Sequence, residues 1–147
     1  MRAIRVHAYG APPQVDDAPA PRPPERGQIA IDVSAMGVGA WDAGVASGRL
    51  ARFVRHQPPY IMGAELAGRV AEVGPGVDGF AVGDRVMCNP GIAGAWAERV
   101  TIDADRCGHA PVSVDDAGAA AIPVGGLTAW QALGSLALPQ GASLLVL

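Results

Sequence analysis

Residues 34–48 read SAMGVGAWDAGVASG, and within them Gly37-Val-Gly39-Ala-Trp-Asp42 falls one residue short of the Gly-x-Gly-x-x-Gly turn that holds a dinucleotide pyrophosphate. The reading of this stretch decides the fold. As a phosphate-binding turn it would open a doubly wound α/β domain with a parallel sheet. As an ordinary strand-to-helix turn it leaves a mainly β chain. A strand-like run, QIAIDVSAMGV (28–38), precedes the turn, and residues 40–46 suit a short helix that stops at Gly48. The third glycine, however, is Asp42, and Pro58-Pro59 interrupts the chain where a βαβ unit should continue. The fingerprint is rejected, and the turn is expected to serve a sheet.

Outward from it, the pattern is one of short strands. RAIRVHAY (2–9) alternates, and APPQVDDAPAPRPPERG then places six prolines between Pro12 and Pro24, which predicts an extended crossover. ELAGRVAEVG (65–74) alternates up to the Gly74-Pro75-Gly76 turn, and GDRVMCN (83–89) and AWAERVTID (95–103) are two further strands around PGIAG. After Pro111 the period changes. VSVDDAGAAAIP offers Ser113 as an N-cap with Asp115 and Asp116 in the first turn, and GGLTAWQALGSLAL spaces Leu127, Trp130, Gln131 and Leu133 helically. GASLLVL (141–147) reads as a buried-type strand in want of a sheet. The order predicts a mainly β fold, a small, partly open β-barrel with short helices appended.

Composition narrows the chemistry. The chain has 147 residues, half of them hydrophobic, enough for one domain with a substantial core. All eleven basic residues are Arg, so Schiff-base chemistry and a lysine phosphate clamp are excluded. A net charge of −3 argues against nucleic acid or an anionic membrane as partner. No run reaches the roughly 18 apolar residues of a spanning helix, and the start lacks a signal-peptide core, which predicts a cytoplasmic protein with Cys88 and Cys107 reduced. Cys107-Gly-His109 gives two potential ligands on one strand face but no third, so no metal site is expected there. His7 and His56 have no partner that the sequence reveals, and no catalytic acid–base pair stands out.

Six segments in order carry a resemblance. MRAIRVHAYG with its proline-rich crossover, MGVGAWDAGVASG, PPYIMGAELAGRVAEVGPGVDGFAVGDRV, GAWAERV, DDAGAAAIPVGGLTAWQAL and LPQGASLLVL together resemble the N-terminal part of the medium-chain dehydrogenase/reductase superfamily, in its zinc-independent quinone oxidoreductase (ζ-crystallin-like) branch. The resemblance implies a GroES-like catalytic domain over residues 1–123. Residues 124–147 would then be the interdomain helix and the first strand of a Rossmann domain that is otherwise missing. It implies NADPH as cofactor, with NADH not excluded, and a quinone or α,β-unsaturated carbonyl as substrate. The complete enzyme would be a homodimer, and a chain without the pyrophosphate loop should be inactive alone.

The same resemblance places the site residues. Zinc enzymes of the superfamily take a Cys where this chain has Gly39 and a His where it has Ala64, so no zinc is implied. Glu65, next to that position, is expected to anchor backbone or an Arg. Gly39, Asp42 and Thr128 are implied around the nicotinamide. Asp42 can order that pocket or simply sit at its helix terminus. Thr128 can bond the carboxamide or a substrate oxygen, or turn its hydroxyl onto the preceding helical turn. Quinone oxidoreductases typically carry Asn-Pro where Gly39-Ala40 stand, and often a Tyr and an Arg at the positions of Gly44 and Ala46, leaving Trp41 to fill part of that space. The substrate is therefore less constrained than the chemistry. Two other readings remain: a freestanding GroES-like interaction module, and an enoyl-reductase piece of a polyketide or fatty-acid synthase.

Overall fold

The computed structural model describes residues 1–54, 56–92 and 94–146. Strands β1 (Arg2–Val6), β2 (Gln14–Asp17), β3 (Gln28–Met36), β4 (Tyr60–Ile61), β5 (Leu66–Val73), β6 (Arg85–Cys88), β7 (Arg99–Asp103) and β8 (Cys107–His109) alternate with helices α1 (Ala40–Ala46), α2 (Asp116–Ala120) and α3 (Ile122–Ser135). The strands make two antiparallel sheets, β2-β1-β4 and β7-β3-β5-β6-β8. β3 and β5 are the longest and lie side by side at the centre of the larger sheet. Their branched residues explain why: Ile29, Ile31, Val33, Val70 and Val73 suit a pleated surface, and Ile29, Ile31, Leu66 and Val70 turn into the core.

The smaller sheet closes over that core with Ala3, Val6 and Tyr60. A seam joins the two sheets. Ile4 N–H donates to Trp96 O at 2.8 Å, Met62 N–H donates to Ile4 O at 3.1 Å, and Ala3 bridges Ala97. The expected barrel thus takes the form of two open sheets joined along one edge. β2 lies inside the stretch expected to be a plain connector. Gln14–Asp17 falls between Pro13 and Pro19, so all four residues keep their N–H groups and can pair with β1, while the prolines stay outside the edge strand.

α2 is fixed to the sheet by Arg85 of β6. Its guanidinium donates to Asp116 Oδ1 from Nε and Nη2 at 2.9 and 2.7 Å, and from Nη2 to Val114 O at 3.0 Å. That hydrogen bond holds the Asp116 carboxyl below its ordinary range. The N-cap of α2 is Asp115, whose carboxylate accepts from Gly118 N–H at 2.7 Å, and not the Ser113 expected from sequence. The cap lies two residues later because the chain turns over Val112–Val114, where Arg85 holds the Pro111 and Val114 carbonyls. Ala119 and Ala120 pack on Ala67 and Ala110 as a second, smaller core.

α3 follows at once and is different in kind. Its residues from Gly125 onward are exposed, with Trp130 at 78%. The helical spacing of Leu127, Trp130 and Leu133 is present, but those side chains face outward instead of into a core. Of GASLLVL (141–147), expected as a strand, residues 141–146 form no strand and are exposed, and Leu147 lies outside the described residues. An apolar strand needs a ladder partner, and among the described residues none reaches it. Among the described residues no helix is long and apolar enough to cross a membrane.

Candidate functional site

β3 ends at Met36, and the chain leaves the sheet through Gly37-Val38-Gly39 into α1. Three contacts hold this turn. Gly37 N–H donates to Glu65 O at 3.2 Å, and the Trp96 indole N–H donates to Gly37 O at 2.8 Å. The third is steric. A Cβ on residue 37 would lie 2.5 and 2.6 Å from Glu65 Cγ and Cδ, so glycine is required for the Glu65 side chain to pass.

Gly39 is the N-cap of α1 in extended backbone, and Asp42 at the third helical position accepts from Gly39 N–H at 2.8 Å. This is the carboxylate half of a capping box, since glycine has no side chain to return the bond. Asp42 is buried, which a charge tolerates because its carboxylate meets a helix N-terminus and a backbone donor. Asp42 therefore takes the helix-terminus role directly. The outer side of Gly39 is open: an added Cβ would meet nothing nearer than Asp42 Oδ2 at 3.8 Å.

Glu65, half-buried, binds backbone as expected. Its Oε2 accepts from Val124 N–H at 2.9 Å. Val124 is the third residue of α3, Pro123 before it has no N–H, and the N-cap Ala121 has no side-chain oxygen. A carboxylate from the β4–β5 loop thus supplies the cap that α3 lacks, with the favourable charge for a helix N-terminus. One residue thus joins the Gly37–Asp42 turn, through its backbone carbonyl, to the start of α3, through its carboxylate. Thr128 lies one helical turn after Val124, on the same face, and is exposed.

The structure therefore brings Gly39 and Asp42 into direct contact and ties their turn to Val124 of α3 through Glu65, whereas Thr128 lies one turn further along that helix, exposed and sharing no hydrogen bond with them among the described residues. Gly37 and Trp96 are the members of this constellation that sequence reasoning missed. Only the contact with Glu65 gives Gly37 its role, and nothing in a single sequence announces a contact between residues 37 and 65.

The remaining candidates diverge. His109 Nε2 meets Gly79 O at 3.0 Å and its ring packs on Phe80, while Cys107 faces Cys88 across the strands. The Cys88 and Cys107 sulfurs are in contact, and that contact together with burial pushes the Cys88 thiol well above its ordinary value. His7 pairs with Asp16, a partner brought by β2, and His56 stacks on Tyr60. Gly39 and Ala64 have no donor atom to offer a metal, and among the described residues no three His, Cys, Asp or Glu side chains converge.

Comparison with known proteins identifies the family of the fold. Residues 25–112 match the family described as the alcohol dehydrogenase GroES-like domain. Polyketide synthase GfsB of Streptomyces halstedii is 42% identical over 131 residues, covering 88% of this chain and 2% of that protein. Quinone oxidoreductase of Rattus norvegicus is 35% identical over 137 residues, covering 90% of this chain and 40% of that protein. The crystal structure of Escherichia coli quinone oxidoreductase complexed with NADPH superposes with a TM-score of 0.80 at 30% identity, over 90% of this chain and 40% of that one. The chain thus spans less than half the length of each of these relatives.

Proposed function

Because this chain belongs to the alcohol dehydrogenase GroES-like family, in the quinone oxidoreductase branch of the medium-chain dehydrogenase/reductase superfamily, we propose that it forms the nicotinamide-facing part of an NAD(P)H-dependent, zinc-independent oxidoreductase. The observation that carries this reading is the Glu65 bridge, which fixes the Gly37–Asp42 turn and α3 as two walls of one corner. A nicotinamide held in this corner would supply hydride chemistry toward the electron-poor carbon of a quinone or α,β-unsaturated carbonyl. The chain's own residues bind and orient. Gly39 leaves its outer side free for a flat ring, and Asp42 keeps the turn from opening. The Thr128 hydroxyl is assigned to the carboxamide or the substrate oxygen. Rate then comes from proximity and orientation.

In this reading residues 1–123 are the GroES-like domain, and 124–147 are the interdomain helix and the first strand of a dinucleotide-binding domain that holds the phosphates. The exposed apolar residues Leu127, Trp130, Leu133 and Leu145 would pack against that domain. The cofactor is assigned as NADPH, because a relative at 30% identity is described as complexed with it. A cytoplasmic homodimer acting on a small molecule completes the assignment. No zinc takes part, since Gly39 and Ala64 replace its ligands.

A second reading has its own support. Identity to the polyketide synthase, 42% over 131 residues, exceeds that to the rat quinone oxidoreductase, 35% over 137. The substrate would then be a 2-enoyl thioester, reduced at the same kind of electron-poor β-carbon. One experiment tests both. The gene product carrying this segment is assayed for NADPH oxidation with 1,4-naphthoquinone and with a 2-enoyl thioester, alongside its Thr128→Ala variant. Turnover of the quinone favours the first reading and turnover of the thioester alone the second. In either case Thr128→Ala should lower kcat/KM by about tenfold, the loss of one good hydrogen bond. No NADPH oxidation with either acceptor would sink both.

A further inference from the structure

The two cysteines have no part in the corner just described, yet the fold places them face to face. β6 and β8 are antiparallel, with Val86 opposite His109 and Cys88 opposite Cys107. Directly opposed residues of an antiparallel pair have Cα atoms about 4.5–5.5 Å apart, inside the range a disulfide spans without backbone movement. The two thiols differ in access. Cys88 is buried in the main core, whereas Cys107 is half-buried and lines an open cleft with Met87, Asn89, Asp105, Arg106 and Leu127.

The two sulfurs are in contact, and Cys107 Sγ also donates to Asp103 O at 3.8 Å. The difference in access suits an attacking sulfur at Cys107, which lines the cleft, and a resolving sulfur at the buried Cys88. Arg106 and Asp105 give the cleft one cation and one anion, which complement the carboxylate and ammonium of a zwitterionic thiol compound.

We infer that Cys107 and Cys88 form a thiol–disulfide exchange site for a low-molecular-weight disulfide of the glutathione class. The Cys107 thiolate attacks one sulfur of the small disulfide, forming a mixed disulfide and expelling one small thiolate. Cys88 then loses its proton and attacks Cys107 Sγ, expelling the second small thiolate and leaving a Cys88–Cys107 bond. Two protein thiols are oxidised and one small disulfide is reduced to two thiols, the two expelled thiolates taking up the two protons that the protein sulfurs give up. The product bond lies beneath the first turns of α3, whose Pro123 and Leu127 line the same cleft. In a reducing compartment such a bond is transient and reversible.

The test is incubation of the chain with glutathione disulfide, followed by intact-mass and peptide mass spectrometry without reductant. Wild-type protein should lose two hydrogens, retain no glutathione, and yield a peptide linking Cys88 to Cys107. Cys88→Ala should instead trap one glutathione on Cys107. Cys107→Ser should react at Cys88 at least about tenfold more slowly, for want of access. A stable glutathione adduct on wild-type protein, first attack at Cys88, or two thiols that stay free would each overturn the inference. The wild-type measurement decides it even if a variant fails to fold.

Discussion

The two ends of this chain are held by different forces. Through residue 120, strands and α2 bury a continuous apolar interior around Ile29, Ile31, Leu66, Val70 and Val86, with Ala67, Ala119 and Ala120 as a satellite. From Gly125 to Val146 the chain is exposed, and the start of α3 is held by the Glu65 carboxylate. The first region is stabilised by transfer of apolar area out of water, which is distributed over many contacts. The second depends on an identifiable polar attachment and presents apolar side chains outward. One region is a scaffold and the other a surface to be covered.

The comparison breaks most visibly in the core. Leu66→Ala should cost about 2–5 kcal/mol in urea denaturation, since the fully buried Leu66 leaves a cavity at the centre of the sheet. Glu65→Ala should cost less, about 1 kcal/mol, the worth of a helix cap, with the loss concentrated in α3. Asp116→Asn tests the bond from Arg85 to α2 and should cost under about 1 kcal/mol at neutral pH. The sign follows from the lowered carboxyl. Its contribution is present above the ordinary Asp value and disappears as pH falls through the depressed folded-state value, so wild type and variant should converge in acid. Leu133→Ala should change stability by no more than about 0.5 kcal/mol, because a half-exposed side chain of α3 has little contact to lose. A core-sized loss there would mean that the two regions are not distinct.

The sequence was legible where signals were local. α1 runs from Ala40 to Ala46 because Gly39 and Asp42 form its start and Gly48 follows its end, all within ten residues. β3 and β5 announced themselves through alternating branched residues. What stayed hidden was set by distance along the chain. β2 is a strand only because β1 lies beside it, and Asp115 displaces Ser113 as a cap because Arg85 holds the preceding turn. In the candidate site, Gly39, Asp42 and Thr128 came from resemblance, while Gly37 and Trp96 emerged from contacts spanning 28 and 59 residues. Cys88 and Cys107 face each other through strand register, which no spacing rule contains.

The claim on which the site rests is that Glu65 ties the Gly37–Asp42 turn to α3. Hydrogen exchange followed by mass spectrometry, on wild type and Glu65→Ala, addresses it directly. The account predicts that the variant loses protection at the start of α3, around Val124 to Thr128, while β3 and β5 keep theirs. Equal protection of α3 in both proteins would contradict it.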